Sequence, residues 1–124
     1  MRRISYVLVL VAVASCARLR PPGAPPPPSA PAPRLVAFTA TAYTIDGKTA
    51  DGTSAREGIV AADPAILPLG SRIRVHDAGR YSGVYVVADT GRAIKGRELD
   101  IYIRDDGEAK RFGKRRVHVE ILGR

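Results

Sequence analysis

From Leu35 onward the chain reads as short apolar runs separated by turn-forming residues, with little of the spacing of an amphipathic helix. The runs predict strands at Val36–Tyr43, Gly58–Ala62, Arg72–His76, Gly83–Ala88, Leu99–Ile103 and Arg116–Leu122. Turn signals fall between them at Asp46-Gly47, Asp51-Gly52, Pro68-Leu69-Gly70 and Ala78-Gly79. One short helix fits the remainder: Asp105 or Asp106 caps it, Glu108-Ala109-Lys110-Arg111-Phe112 form it, and Gly113 ends it. Six strands in so short a domain favour a barrel over a helix-covered sheet, because closure removes unpaired edges that a thin core cannot offset.

Two of these runs each carry an acid. Asp89 ends Val84-Tyr85-Val86-Val87-Ala88, and Asp100 precedes Ile101-Tyr102-Ile103, with a loop bearing Lys95 and Gly96 between them. A carboxylate inside an apolar run loses hydration, so it needs a partner or a use. If the two strands meet, both side chains come from rigid backbone into one cleft. One of them can then be held protonated, as a general acid requires.

The first 34 residues follow a different pattern. Met1-Arg2-Arg3 is a short basic start, and the stretch from Ile4 to Ala14 is almost all Val, Leu and Ala, broken by Ser5 and Tyr6. It is too short to span a bilayer and suits the core of a signal peptide, residues 1–15. Val13-Ala14-Ser15-Cys16 resembles a bacterial lipobox, and Cys16 is the only cysteine, which rules out an internal disulfide. Lipidation of Cys16 is therefore expected, with export to the cell envelope and a membrane anchor there. With Ala17 next and no acidic residue following, a two-membrane bacterium would send such a protein to the periplasmic side of its outer membrane. Residues 16–34 hold eight of the ten prolines. They lack donors and apolar bulk and predict an extended, disordered tether. The folded domain is then residues 35–124.

The net charge of +8 reads differently once it is located. Five of the 20 Lys and Arg precede residue 35 with no acid among them, leaving 15 against 12 acidic residues, an excess of only three. With an export signal and few aromatics, nucleic acid is not an expected partner. The cluster Lys110, Arg111, Lys114, Arg115 and Arg116 is either a solvated face or a surface for an anionic polymer such as the cell wall. His76 and His118 share no motif with a cysteine or a carboxylate cluster, so neither metal nor cofactor is expected.

Taken in order, several short motifs are similar to a known family. Thr41-Ala42-Tyr43, Thr49-Ala50-Asp51-Gly52-Thr53, Gly58-Ile59-Val60-Ala61-Ala62-Asp63-Pro64, Leu67-Pro68-Leu69-Gly70-Ser71, Ala88-Asp89-Thr90-Gly91, Ile94-Lys95-Gly96 and Leu99-Asp100-Ile101-Tyr102 resemble the three-aspartate, or 3D, domain. That domain occurs in membrane-bound lytic transglycosylases of the A type and in small cell-wall enzymes. The resemblance runs from about Phe38 to Leu122, and the three aspartates are Asp63, Asp89 and Asp100. It implies a double-psi β-barrel. It also implies cleavage of the MurNAc–GlcNAc β-1,4 bond of peptidoglycan without water, with Asp100 as catalytic acid and Asp89 supporting it.

Other positions divide between site and scaffold. Asp63, before Pro64, either caps its turn or joins the site. Thr41 and Tyr43 either line the sugar groove or are ordinary strand residues, and Thr90 falls in the motif that follows Asp89. Lys95 either meets a substrate oxygen or is a solvated loop lysine. Arg92 stands where many relatives carry a second glycine, and a cation beside Asp89 would pair with it or with substrate. Asp51 stands where relatives often carry serine. The large second domain of the membrane-bound enzymes has no counterpart here, so the barrel either binds weakly or needs partners, such as other cell-wall enzymes. A non-catalytic peptidoglycan-binding or wall-loosening module, of the expansin type, is the alternative function.

Overall fold

Six short strands close on one another, and along most of them side chains alternate between an enclosed interior and the outside. The computed structural model describes Gly23, residues 29–91 and residues 93–124. The signal segment, Cys16, most of the proline-rich stretch and Arg92 lie outside the described residues, together with the expectations attached to them. The barrel belongs to the unit Ala32–Arg124. Its strands are β1 (Leu35–Tyr43), β2 (Ile59–Ala62), β3 (Arg72–His76), β4 (Gly83–Asp89), β5 (Glu98–Tyr102) and β6 (Arg115–Gly123). All six sequence-predicted strands are present, with ends shifted by a residue where the ladder gains or loses its last bond. A 3₁₀ turn at Gly79–Tyr81 had no counterpart in the apolar pattern, because none of its residues is buried.

The interior is aliphatic. Val60, Ile73, Val75, Val87, Leu99, Ile101, Val117 and Val119 are fully enclosed, each worth about 1.5–3 kcal/mol of burial. Helix α1 (Asp106–Phe112) adds Ala109 and Phe112 to this core. Asp105 caps it, its carboxylate accepting from the Glu108 amide at 2.7 Å, and Gly113 ends it at φ 61°, a value that favours glycine. The Phe112 ring lies between the edge of Tyr81, 5.6 Å between centroids, and the Arg115 guanidinium 4.1 Å from its centre.

The strand order around the closed barrel is β1-β5-β2-β4-β3-β6. Two pairs are parallel, β1 with β5 and β2 with β4, and the other neighbours are antiparallel. The β1–β2 connection therefore strides over β5, and the β4–β5 connection strides over β2. These two interlocking crossings make the architecture a double-psi β-barrel, and they bring both connecting loops to the strands that carry the aspartates.

Candidate active site

One cross-strand row collects the chemistry. Thr41 on β1 is the register partner of Asp100 on β5, Asp100 is the partner of Ala61 on β2, and Ala61 is the partner of Asp89 on β4. Ala61 thus separates the two aspartates, whose backbones stand about 10 Å apart across two strand spacings. Leu99 and Ile101 flank Asp100 and point into the core, so the carboxyl faces outward.

Asp89 reaches that same face through a β-bulge. Val60 pairs with Val87, yet the next residue, Ala61, pairs with Asp89, so Ala88 is an extra residue in the ladder. Val87 belongs to the interior core, and Ala88 packs with Ile59 and Tyr102 on the other face. Strict alternation would have turned Asp89 back into the aliphatic interior. The bulge instead re-aims it outward, beside Ala61.

The two carboxylates meet different surroundings. Asp100 is half-buried, and its Oδ1 accepts a hydrogen bond from the Thr41 hydroxyl at 3.0 Å. Burial pushes its pKa above the usual aspartate value, and the Thr41 hydroxyl opposes that rise. The sequence had pointed to the Asp89 charge as the cause of such a rise; in the structure the cause is desolvation. Asp89 accepts two backbone amides on Oδ1, from Ala50 at 3.0 Å and Thr90 at 2.8 Å, and so pins the β1–β2 loop to the end of β4.

Tyr43 lies one position further along the same face as Thr41. Its ring meets Tyr102 edge-on, 5.5 Å between centroids, and the Tyr102 hydroxyl donates to Asp46. Burial and the charges of Asp89 and Asp100 push the Tyr43 hydroxyl up to about 12, so it stays a neutral donor. That hydroxyl is buried and has no hydrogen-bond partner among the described residues.

The remaining predicted positions are structural in their contacts. Asp63 accepts from the Ala65 amide at 3.0 Å within its own turn and from the Gly96 amide at 2.8 Å in the β4–β5 loop. These two donors, led by Gly96, hold its pKa below the usual value. Lys95 is exposed, and its amide lies 3.4 Å from the Glu98 carboxylate. Thr90 is half-buried beside Asp89 and contributes its amide there. His76 and His118 contact Glu120 and Asp77 on the far strands, and no group of three or more metal-binding side chains occurs among the described residues. Sequence reasoning missed Ala61 as the spacer, the Ala50 amide, and Tyr102 as the wall behind Tyr43. It also missed Asp51 as a hub, which accepts from the hydroxyls of Thr49 and Thr53 at 2.6 Å each. The Thr49–Thr53 motif carried the signal for that hub in its Thr-x-Asp-x-Thr spacing.

Residues 58–123, which hold five of the strands and the site row apart from Thr41, match the model of the 3D domain, and the chain belongs to that family. Among its relatives, the putative cell wall shaping protein YabE of Bacillus subtilis is 39% identical over 64 residues. The cell wall-binding protein YocH of the same organism is 36% identical over 64 residues. Each match covers 52% of this chain but only 15% and 21% of those proteins. The crystal structure of MltA from E. coli superposes with a TM-score of 0.51 at 25% identity, over 60% of this chain and 27% of that one. MltA with bound chitohexaose, at 23% identity and a TM-score of 0.52, shares the fold.

Proposed function

We propose that this protein is a peptidoglycan lytic transglycosylase that cleaves the MurNAc–GlcNAc β-1,4 bond and leaves a 1,6-anhydro-MurNAc end. The observation that carries the proposal is Asp100. It is a half-buried carboxyl whose pKa is raised by burial, oriented by Thr41, on an outward face shared with Asp89. A raised pKa favours the protonated carboxyl, the form that can donate to the glycosidic oxygen as the sugar becomes oxocarbenium-like. The resulting carboxylate then takes the proton of the MurNAc C6 hydroxyl, which attacks C1 and closes the anhydro ring. Asp89, fixed by two amides, offers negative charge across Ala61 to the cationic sugar. Tyr43, kept neutral by burial and by the charges of both acids, adds no competing charge beside them.

The likeness to the lytic transglycosylase MltA supports this reaction, and the cell-wall names of the Bacillus relatives support the substrate and an envelope location. Residues 1–15 as signal peptide, Cys16 as lipid anchor and residues 16–34 as tether are the matching proposal for delivery. A second reading, wall binding without cleavage, is favoured by the name of YocH. Mass spectrometry of purified wall after incubation separates them. Soluble anhydro-muropeptides that disappear with Asp100→Asn support the enzyme; sedimentation with intact wall and no products supports the binder.

A further inference from the structure

A cleft of about 250 Å³ lies on the same face as the catalytic row and is lined by Ala37, Phe38, Thr39, Arg97 and Arg116. Thr39 is its floor, pairing with Arg116 on β6 and Glu98 on β5, while its amide donates to the Arg97 carbonyl at 2.9 Å. Thr39 precedes Thr41 by two residues, which places the cleft about 7 Å from the row along β1. Both arginines are exposed. Neither forms an ion pair among the described residues, whereas Arg74, Arg80 and Lys110 each have a carboxylate. The nearby Glu98 carboxylate is turned toward the Lys95 amide.

Two unpaired guanidinium forks facing one cleft beside the scissile position suit an anionic oxygen group. We infer that Arg97 and Arg116 form a carboxylate subsite that holds a lactyl or peptide-stem carboxylate of the glycan strand whose backbone lies across Asp100. This rests on the peptidoglycan reading above and adds to it a contact that a neutral chitin-type strand cannot make.

The test is sedimentation of the full chain with purified peptidoglycan freed of phosphate-bearing polymers, before and after its carboxyl groups are converted to neutral amides. The unsubstituted protein is expected to bind amidated wall about tenfold more weakly. Arg97→Gln/Arg116→Gln is expected to show that weaker binding on untreated wall already, with no further loss on amidated wall, and each single variant to fall between. Arg72→Gln/Arg111→Gln removes the same charge elsewhere and is expected to stay within about twofold of the unsubstituted protein, since distant exposed charges are screened. Peptide-free glycan, whose carboxylates are lactyl only, tells the two carboxylate sources apart. Equal losses in the two double variants, or indifference of the unsubstituted protein to amidation, overturns the subsite and leaves product formation to decide the reaction. Failure of the unsubstituted protein to bind any wall overturns both.

Discussion

The crossover loops and the strand row beside them treat the same side chain in opposite ways. In the loops, Asp51 is held at about 2 by the hydroxyls of Thr49 and Thr53 and by the Thr53 amide. Asp63, in the turn after β2, is held below its usual value by the amide of Gly96 in the β4–β5 crossover loop and by the Ala65 amide. On the row, Asp100 has one hydroxyl partner and a half-buried position, and its pKa moves upward. The number of donors set against the loss of water decides whether an aspartate becomes a permanently ionised staple or a proton carrier. The family's three aspartates are thus not interchangeable. Asp63 and Asp89 bind backbone amides, and Asp100 is the one left short of donors.

The comparison can be broken most directly at Asp100. Asp100→Asn is expected to lower anhydro-muropeptide release by about 10²–10⁴-fold, the usual worth of a positioned acid and base. In the unsubstituted protein, release should fall as pH rises through the raised Asp100 value, because the donor proton is lost. The same variant should be more stable than its parent at neutral pH. The folded-state pKa lies above the unfolded value near 3.9, so the parent loses stability as pH rises between them, and the amide does not. In thermal melts the two proteins should therefore coincide in strong acid and separate toward neutrality.

Removing the bulge tests the other half of the row. Deleting Ala88 removes the bulge and leaves Val87 facing the core and Asp89 facing outward, directly opposite Ala61. The deletion also removes the Ala88 methyl packed with Ile59 and Tyr102 and the carbonyl that accepts from the Asp51 amide at 3.1 Å, so the barrel should still fold but be about 1–3 kcal/mol less stable in urea unfolding. Asp63→Asn is expected to lower the melting temperature at pH 7 while leaving Asp100 protonation unchanged. The Asp63 contribution is present above the unfolded carboxylate value and fades as pH falls through the depressed folded one, so parent and variant should converge only in acid. A variant that melts with the parent but loses turnover would instead move Asp63 into the chemistry. Tyr43→Phe should change stability least, within about 1 kcal/mol, because it removes a buried hydroxyl with no partner. Any loss of turnover with that variant then reports on the setting of the two acids beside it.

Much of the barrel was legible in the sequence, because each strand announces itself as a short apolar run, most of them alternating, and the turns by Asp46-Gly47, Asp51-Gly52, Pro68-Leu69-Gly70 and Ala78-Gly79. The helix cap, narrowed to Asp105 or Asp106 and found at Asp105, and Gly113 as helix end were equally local signals. Asp100 was legible as a carboxyl among aliphatics. Three things were not, and all are non-local. The pairing order cannot be read from six similar runs, so Thr41 beside Asp100 emerges only once β1 and β5 lie parallel. The Ala88 bulge adds no unusual residue to Val86-Val87-Ala88-Asp89, and only the β2 register reveals it. The cause of the Asp100 shift depends on burial, which composition does not give.

The antiparallel pairing of β1 with β6 sets Leu35 opposite Glu120, so the first strand begins where the last one ends. Thr41 lies six residues further along β1, about 20 Å away. Anything joined at either end of the barrel therefore enters and leaves through neighbouring ports, at the opposite end of β1 from the aspartates. Such a unit can be spliced into a longer polypeptide, or hung from a leash, without obstructing the face that does the chemistry.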